Sequence, residues 1–202
     1  DKKCIIIGNT NALSYVEIFR LFIDDKIRTG YTNFNVGMYF FVPDDWDKYH
    51  KIVDGRKMVR VSTSCWFTNL PVNKHKDFIT LYKHCTAEEY PHYDNYDAIN
   101  VDRVAEIPRD YNGAMGVPIT FLDKYNPEQF EIIALGIVGS IDFSCEKKME
   151  ILKKGKPTGK FTVNAKGTLY RMYNPRTDTK PPAFKDVETG ELYSSIYARI
   201  II

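Results

Sequence analysis

"CIIIGNTNAL" (residues 4–13) sets four apolar residues in succession, Cys4 to Ile7, then breaks at Gly8-Asn9-Thr10-Asn11. A run without polar alternation suits a strand covered on both faces, the kind found inside a parallel sheet. Here it is the first strand of the sequence. Either an edge strand carries an interior strand's composition, or its neighbours come from elsewhere. "SYVE" (14–17) follows in the form of a capping box, with Ser14 as N-cap and Glu17 reaching back. Tyr15, Ile18, Phe19 and Phe22 then recur on one helical face to about Ile23. Strand, polar loop and capped helix make one α/β unit, and ligands of open α/β sheets sit beyond the carboxyl ends of the strands. Asn9 and Asn11 lie at such an end. Two readings of them stay open: they line a pocket, or they bond their own backbone as turn formers.

Working outward, "GMYFFVPDD" (37–45) reads as a strand ended by Pro43, and "KMVRVSTSCWFTNL" (57–70) as a long β run. After a polar connection, "FITLY" (78–82) reads as a further strand, antiparallel to that run in a hairpin. From about Glu106 the texture shifts to Gly- and Pro-rich turns and short strands such as "FTVNA", "TLYRMY" and "YARIII". The expected division is 1–105 and 106–202.

The totals suit a globular protein: 202 residues, 44% apolar and 14% aromatic. No window holds the roughly 18 uninterrupted apolar residues of a membrane span. Cys4, Cys65, Cys85 and Cys145 form no C-x-x-C pair, and Cys4, Cys65 and Cys145 sit in strand-like apolar surroundings. Buried reduced thiols and a cytoplasmic setting are expected. His75, His84, Cys85 and His92 match no common zinc spacing, so no metal site is expected.

Net charge is +2, but it is unevenly spread. Residues 1–145 hold 16 Lys/Arg against 20 Asp/Glu, and residues 146–202 hold 12 against 6. Residues 147–180 alone carry ten basic residues with only Glu150 and Asp178 opposing them. Such asymmetry points to a polyanion at one end of the molecule, or to a solvated basic face.

In "SCWFTNLP" (64–71), alternation sends Trp66 and Phe67 to opposite faces. Two readings stay open: both rings are core, or one enters the core while the other stands at a cleft as a stacking platform for a nucleobase.

"IIIGNTNALSYVEIF", "CWFTNL", "YPHYDNYDAINV" and "DYNGAMGVPITFLDKYNPEQFEII", with a return at "YARIII", together resemble the EcoRI-type adenine-specific DNA methyltransferases. The resemblance runs from about residue 3 to 135, and residues 110–133 are its most specific block. It implies methylation of adenine N6 in duplex DNA, with S-adenosylmethionine as donor, within a restriction-modification system. The target base must leave the stack, which needs a receiving pocket. The family holds the adenine amine with an Asn-Pro-Pro-Phe-type loop and the cofactor with a Gly-containing loop. Neither is present: the Asn-Pro pairs, Asn126-Pro127 and Asn174-Pro175, lack the second proline and the aromatic.

The resemblance therefore implies the C-terminal part of a doubly wound S-adenosylmethionine-dependent α/β sheet with an antiparallel hairpin, followed by a β-rich target-recognition region. Cofactor and catalytic groups are expected upstream of Asp1. Trp66 or Phe67, Trp66 favoured, falls where the family sets an aromatic against the flipped base, and Asn9 and Asn11 border that pocket. "HYDNYD" (92–97) reads as a structural loop. Expected DNA contacts are Lys147, Lys148, Lys153, Lys154, Lys156, Lys160, Arg171 and Arg176. Expected partners are double-stranded DNA and either the missing N-terminal half or a second copy, with no membrane. A stand-alone DNA-binding or assembly module without catalytic activity is the alternative.

Overall fold

A computed structural model describes residues 2–34 and 36–202. Packing divides the chain into two compact units, Asp1–Phe78 with Leu122–Phe130, and Ile79–Phe121 with Glu131–Ile202. The division expected at 105 is one of function, which packing alone does not test.

The first unit carries β1 (Ile5–Asn9), α1 (Val16–Ile23), β2 (Arg28–Thr29), β3 (Met38–Phe41), β4 (Lys51–Val53), β5 (Arg56–Val61) and β6 (Ser64–Thr68). β6 is the centre of an antiparallel sheet in the order β1-β6-β2. α1 packs on it through buried Phe19 and Phe22, and Phe22 meets Phe67 edge-on at 5.7 Å. Each buried phenylalanine contributes about 1.5–3 kcal/mol, so this contact seats the helix. Gly8 is needed where β1 passes Phe67, because a Cβ there would fall 2.6 Å from the ring.

Three expectations are corrected here. β1 is an antiparallel edge strand and not an interior parallel one: it bonds β6 from Ile5↔Thr68 to Asn9↔Ser64, and Ile5, Ile6 and Ile7 are 65%, 45% and 52% exposed. The capping box does not form. Thr10–Ser14 is a 3-10 turn, Tyr15 is the N-cap of α1 without a side-chain bond, and the Ser14 hydroxyl donates to the Asn11 carbonyl at 2.6 Å. Such local bonds compete with capping. Finally, residues 78–82 form no strand, and the run 57–70 is split between β5 and β6 in different sheets. No edge of β6 is open to a hairpin partner, since β1 and β2 occupy both.

β3, β5 and β4 make a separate antiparallel sheet in that order, with β4 and β5 joined at Asp54 (φ +49°) and Gly55 (φ +75°). Two residues at positive φ are the tight turn that matches strand twist.

Leu122–Phe130 straps this unit together. Asp123 accepts from the Phe34 amide at 2.6 Å and from Lys74 Nζ at 3.0 Å. Buried His75 bridges the carbonyls of Tyr125 (Nδ1, 2.9 Å) and Thr29 (Nε2, 2.9 Å). Asn126 Nδ2 donates to the Lys76 carbonyl at 3.2 Å. Cys65 is buried, and desolvation, with Asp123 nearby, pushes its thiol up to about 12. Cys4 and Cys145 are half-buried rather than buried, and all four cysteines are free.

The second unit carries β7 (Ile99–Asn100), β8 (Met115–Pro118), β9 (Ala134–Leu135), β10 (Met149–Lys153), β11 (Lys156–Thr162), β12 (Leu169–Met172), β13 (Phe184–Asp186), β14 (Leu192–Ile196) and β15 (Arg199–Ile201). One sheet has the order β7-β8-β15-β9, with β7 and β8 parallel; the other, antiparallel, has the order β11-β10-β13-β14-β12. Tyr170, buried, meets Tyr193 edge-on at 5.3 Å and Phe184 at 6.5 Å. "HYDNYD" is structural: buried Asn95 donates to the Thr168 carbonyl at 3.0 Å and accepts from the Tyr170 amide at 3.1 Å. Among the described residues α1 is the one α-helix, so the chain is mostly β. No helix is long and apolar enough to cross a membrane.

Gly116 faces the buried Tyr93 ring, whose hydroxyl donates to Asn100 Oδ1 at 2.9 Å. A Cβ at Gly116 would lie 2.2 Å from that hydroxyl and 2.7 Å from the ring. Gly116→Ala is expected to destabilise by about 2–3 kcal/mol through overpacking. Denaturant titration checks this, and a loss below about 1 kcal/mol would show that Tyr93 yields freely.

Candidate nucleic-acid interface

Trp66 and Phe67 separate as alternation requires. Phe67 pairs with Ile6, faces α1 and is 5% exposed; Trp66 pairs with Ile7 on the other face and is half-buried. Phe67 is therefore core, and of the two rings Trp66 alone is partly open to solvent. Gly30 backs it: the Gly30 amide donates to the Trp66 carbonyl at 2.7 Å, and a Cβ there would fall 2.6 Å from Trp66 Cβ. Asn9 is a turn former whose Oδ1 accepts from the Asn11 amide at 2.9 Å. Both asparagines are exposed, Asn9 at the last position of β1 and Asn11 in the turn that follows. The described residues do not form a cradle for S-adenosylmethionine here, because the loop after β1 is a closed 3-10 turn and Gly8 packs on Phe67.

In the second unit, β10 and β11 form a hairpin turned at Lys154 (φ +52°) and Gly155 (φ +76°), with Lys153 opposite Lys156. β11 is the edge strand, exposed from Lys156 to Phe161. The pairing shifts between Glu150 and Leu152; there the Thr158 hydroxyl donates to the Ile151 carbonyl at 2.6 Å and the Gly159 amide to Glu150 Oε1 at 3.0 Å. The bulge thus occupies the acid of this ribbon. Lys148, Lys153, Lys154, Lys156 and Lys160 are exposed, and among the described residues no carboxylate lies within ion-pair distance of them. Lys148 stands 5.2 Å above Phe161, which is itself exposed. A two-stranded β-ribbon is one of the elements that a DNA major groove admits, and lysines free of ion pairs are the groups that displace counterions from phosphates.

The other expected contacts divide. Arg176 is exposed in the turn after β12. Lys147 is engaged: its Nζ donates to the Tyr193 hydroxyl at 2.6 Å and to Asp94 at 3.3 Å. Burial opposes its charge, but Tyr193 and Asp94 outweigh that and raise its pKa. Arg171 is 6% exposed, with its guanidinium on Asp178, and is corrected from a DNA contact to a buried structural ion pair. Asp178 stands out in the sequence as one of two acids in the basic stretch, but its pairing with Arg171, and the Ser194 hydroxyl that holds it, are set by the fold.

A cavity of 890 Å³ in this unit is lined by Glu88, Glu89, Asp102 and Glu106 as well as Lys83 and Arg171. Among the described residues no three His, Cys, Asp or Glu are grouped to hold a metal ion.

The family model described as adenine-specific methyltransferase EcoRI matches residues 1–202. The chain is 45% identical over 139 residues to the type II methyltransferase M.EcoRI of Escherichia coli, covering 66% of this chain and 43% of that protein. It is 39% identical over 140 residues to M.MpnI of Mycoplasma pneumoniae, covering 65% and 44%. With M.MgeORF184P of Mycoplasma genitalium it shares 37% over 142 residues, covering 66% and 44%. The chain thus spans less than half the length of these relatives. No solved structure matches it significantly.

Proposed function

The chain belongs to the EcoRI family of adenine-specific methyltransferases, and from that premise we propose that it is the DNA-reading part of an enzyme transferring a methyl group from S-adenosylmethionine to adenine N6 in duplex DNA. The enzyme acts on a base flipped from the stack, within a bacterial restriction-modification system, and therefore in the cytoplasm. Residues 106–202 read the target through the β10–β11 ribbon, and residues 1–105 continue a doubly wound methyltransferase sheet. In this reading Trp66 stacks on the flipped adenine and Asn9 and Asn11 border its pocket. A stacked base gains about 1–3 kcal/mol from such a ring.

The observation that carries the reading is β1. Among the described residues no strand pairs with its outer edge, and its three isoleucines are exposed, beside the ring best placed to receive a base. An apolar strand with a bare edge invites another strand. The proposed occupant is the polypeptide that holds S-adenosylmethionine, since the described residues make no such cradle.

Transfer of labelled methyl groups to adenine-containing duplex DNA tests this. The 202-residue chain alone is expected to give none. Co-expression with the upstream half of a family member is expected to restore transfer, and Ile6→Asp on the bare edge to suppress it. Methyl transfer by the chain alone, or indifference to Ile6→Asp, overturns the reading. Self-association through β1 without any gain in transfer would favour a second copy as the occupant.

A further inference from the structure

We propose that the open face of the β3-β5-β4 sheet is a second DNA-binding surface, taking phosphates on Lys51, Arg56 and Arg60 and an unstacked base on Tyr39 or Phe41. This rests on the reading of the chain as a DNA-binding protein, and it names a site separate from Trp66 and from the lysine ribbon.

Register puts these groups on one face. Tyr39 stands opposite Arg60, Phe41 and Lys51 opposite Met58, and Val53 opposite Arg56. Residues directly opposed share a face, and those two apart along a strand share it again. Tyr39 and Phe41 are 45% and 43% exposed, unusual for two rings one pleat apart unless the face has a use.

Cations are set among the rings. Arg56 Cζ lies 4.1 Å from the Phe41 centroid, Lys51 Nζ lies 4.9 Å from that of Tyr39, and the His50 ring is 5.7 Å from Tyr39. A guanidinium stacked on a ring spends its π face there and keeps its in-plane N–H groups for a phosphate. Arg60 is laid along the backbone at Gly37, where a Cβ would fall 2.6 Å from its Nε. Among the described residues no carboxylate lies within ion-pair distance of Lys51, Arg56 or Arg60.

The opposite face is used differently. Lys57 alternates to that side, where its Nζ donates to the Trp46 carbonyl at 3.0 Å and lies 5.3 Å from the Tyr49 ring, holding the intervening loop. Three cations without a carboxylate partner among the described residues, two of them seated on exposed rings, complement one kind of partner, a polyanion that carries π faces. A nucleic-acid strand is that partner.

The test is fluorescence anisotropy of the 202-residue chain with a labelled duplex and with one of its strands, across a salt series. Each phosphate contact contributes about 0.9 to the log–log salt slope on duplex and about 0.7 on a single strand. Arg56→Gln with Arg60→Gln is therefore expected to lower the slope by about 1.4–1.8 and to weaken binding about 25- to 60-fold near 0.1 M salt. Tyr39→Ala with Phe41→Ala is expected to weaken single-strand binding more than duplex binding, and Arg56→Lys with Arg60→Lys to restore most of the slope. Circular dichroism identifies any variant that fails to fold, and Lys51→Gln then serves as the one-contact probe. Unchanged affinity and slope in the arginine pair, while substitutions in the lysine ribbon still weaken binding, would overturn this surface and leave the DNA reading standing. Absence of binding by the unsubstituted chain would overturn both.

Discussion

Arg171→Met is expected to cost about 3–5 kcal/mol of folding stability, the loss typical when one partner of a buried ion pair is removed. The side chains of Arg171 and Asp178 are 7% and 8% exposed, and the guanidinium reaches the carboxylate through both terminal nitrogens. Without it, Asp178 keeps only the Ser194 hydroxyl at 2.7 Å and the Asn174 amide at 3.1 Å. Burial raises the Asp178 pKa, but Arg171, Ser194 and Asn174 together hold it below the usual carboxylate value. A depressed carboxyl contributes stability that is full above its unfolded pKa, near 3.9, and is lost as pH falls through the folded value. The gap between Arg171→Met and the parent should therefore be widest at neutral pH and close towards acid. Denaturant midpoints at neutral and acid pH read this directly. Replacing both partners with apolar residues should recover much of the loss. Undiminished stability together with a selective loss of DNA affinity would return Arg171 to the role of base reader.

The second large effect belongs to the β10–β11 ribbon. Lys154→Ala, Lys156→Ala and Lys160→Ala together should reduce the log–log salt slope on duplex DNA by about 2.7 and weaken binding about 500-fold near 0.1 M salt. All three residues are exposed and without ion pairs among the described residues, so the fold has no stake in their charge. Thermal melts should superimpose on the parent, which separates this outcome from a folding defect. Lys147→Ala is the contrasting variant: it removes the partner of Tyr193 and Asp94 and should move the melt while leaving the slope nearly unchanged. A flat salt response in the triple variant's parent would take the ribbon out of the interface.

Local patterns were legible where the chain decides its own conformation. The break at Pro43 and the short strands after Glu106 follow from residue type. The separation of Trp66 from Phe67 follows from alternation alone. Illegible were the features decided by partners far along the chain. Val61 to Thr68 reads as continuous β, yet β5 and β6 leave for different sheets because β6 is claimed by β1 and β2. Isoleucines at 5–7 announce two buried faces, but composition cannot say which strand will do the burying. Arg171 looked like its basic neighbours; Asp178 is close by in sequence, but only the turn that brings it back, held by Ser194 from β14, removes Arg171 from the surface. The face of Tyr39, Phe41, Arg56 and Arg60 was hidden by averaging, since Asp44, Asp45, Asp47 and Asp54 cancel its charge along the sequence but not across the sheet.

The strap Leu122–Phe130 constrains heredity as well as packing. A crossover between two related genes at codon 105 would carry the strap along with everything downstream, so the recipient's Lys74 and His75 would meet a stranger's Asp123 and Tyr125. Wholesale cassette exchange therefore penalises the upstream unit, whereas grafting residues 147–163 touches none of those bonds. Exchange between relatives should therefore keep the strap co-inherited with the Lys74 and His75 that it binds.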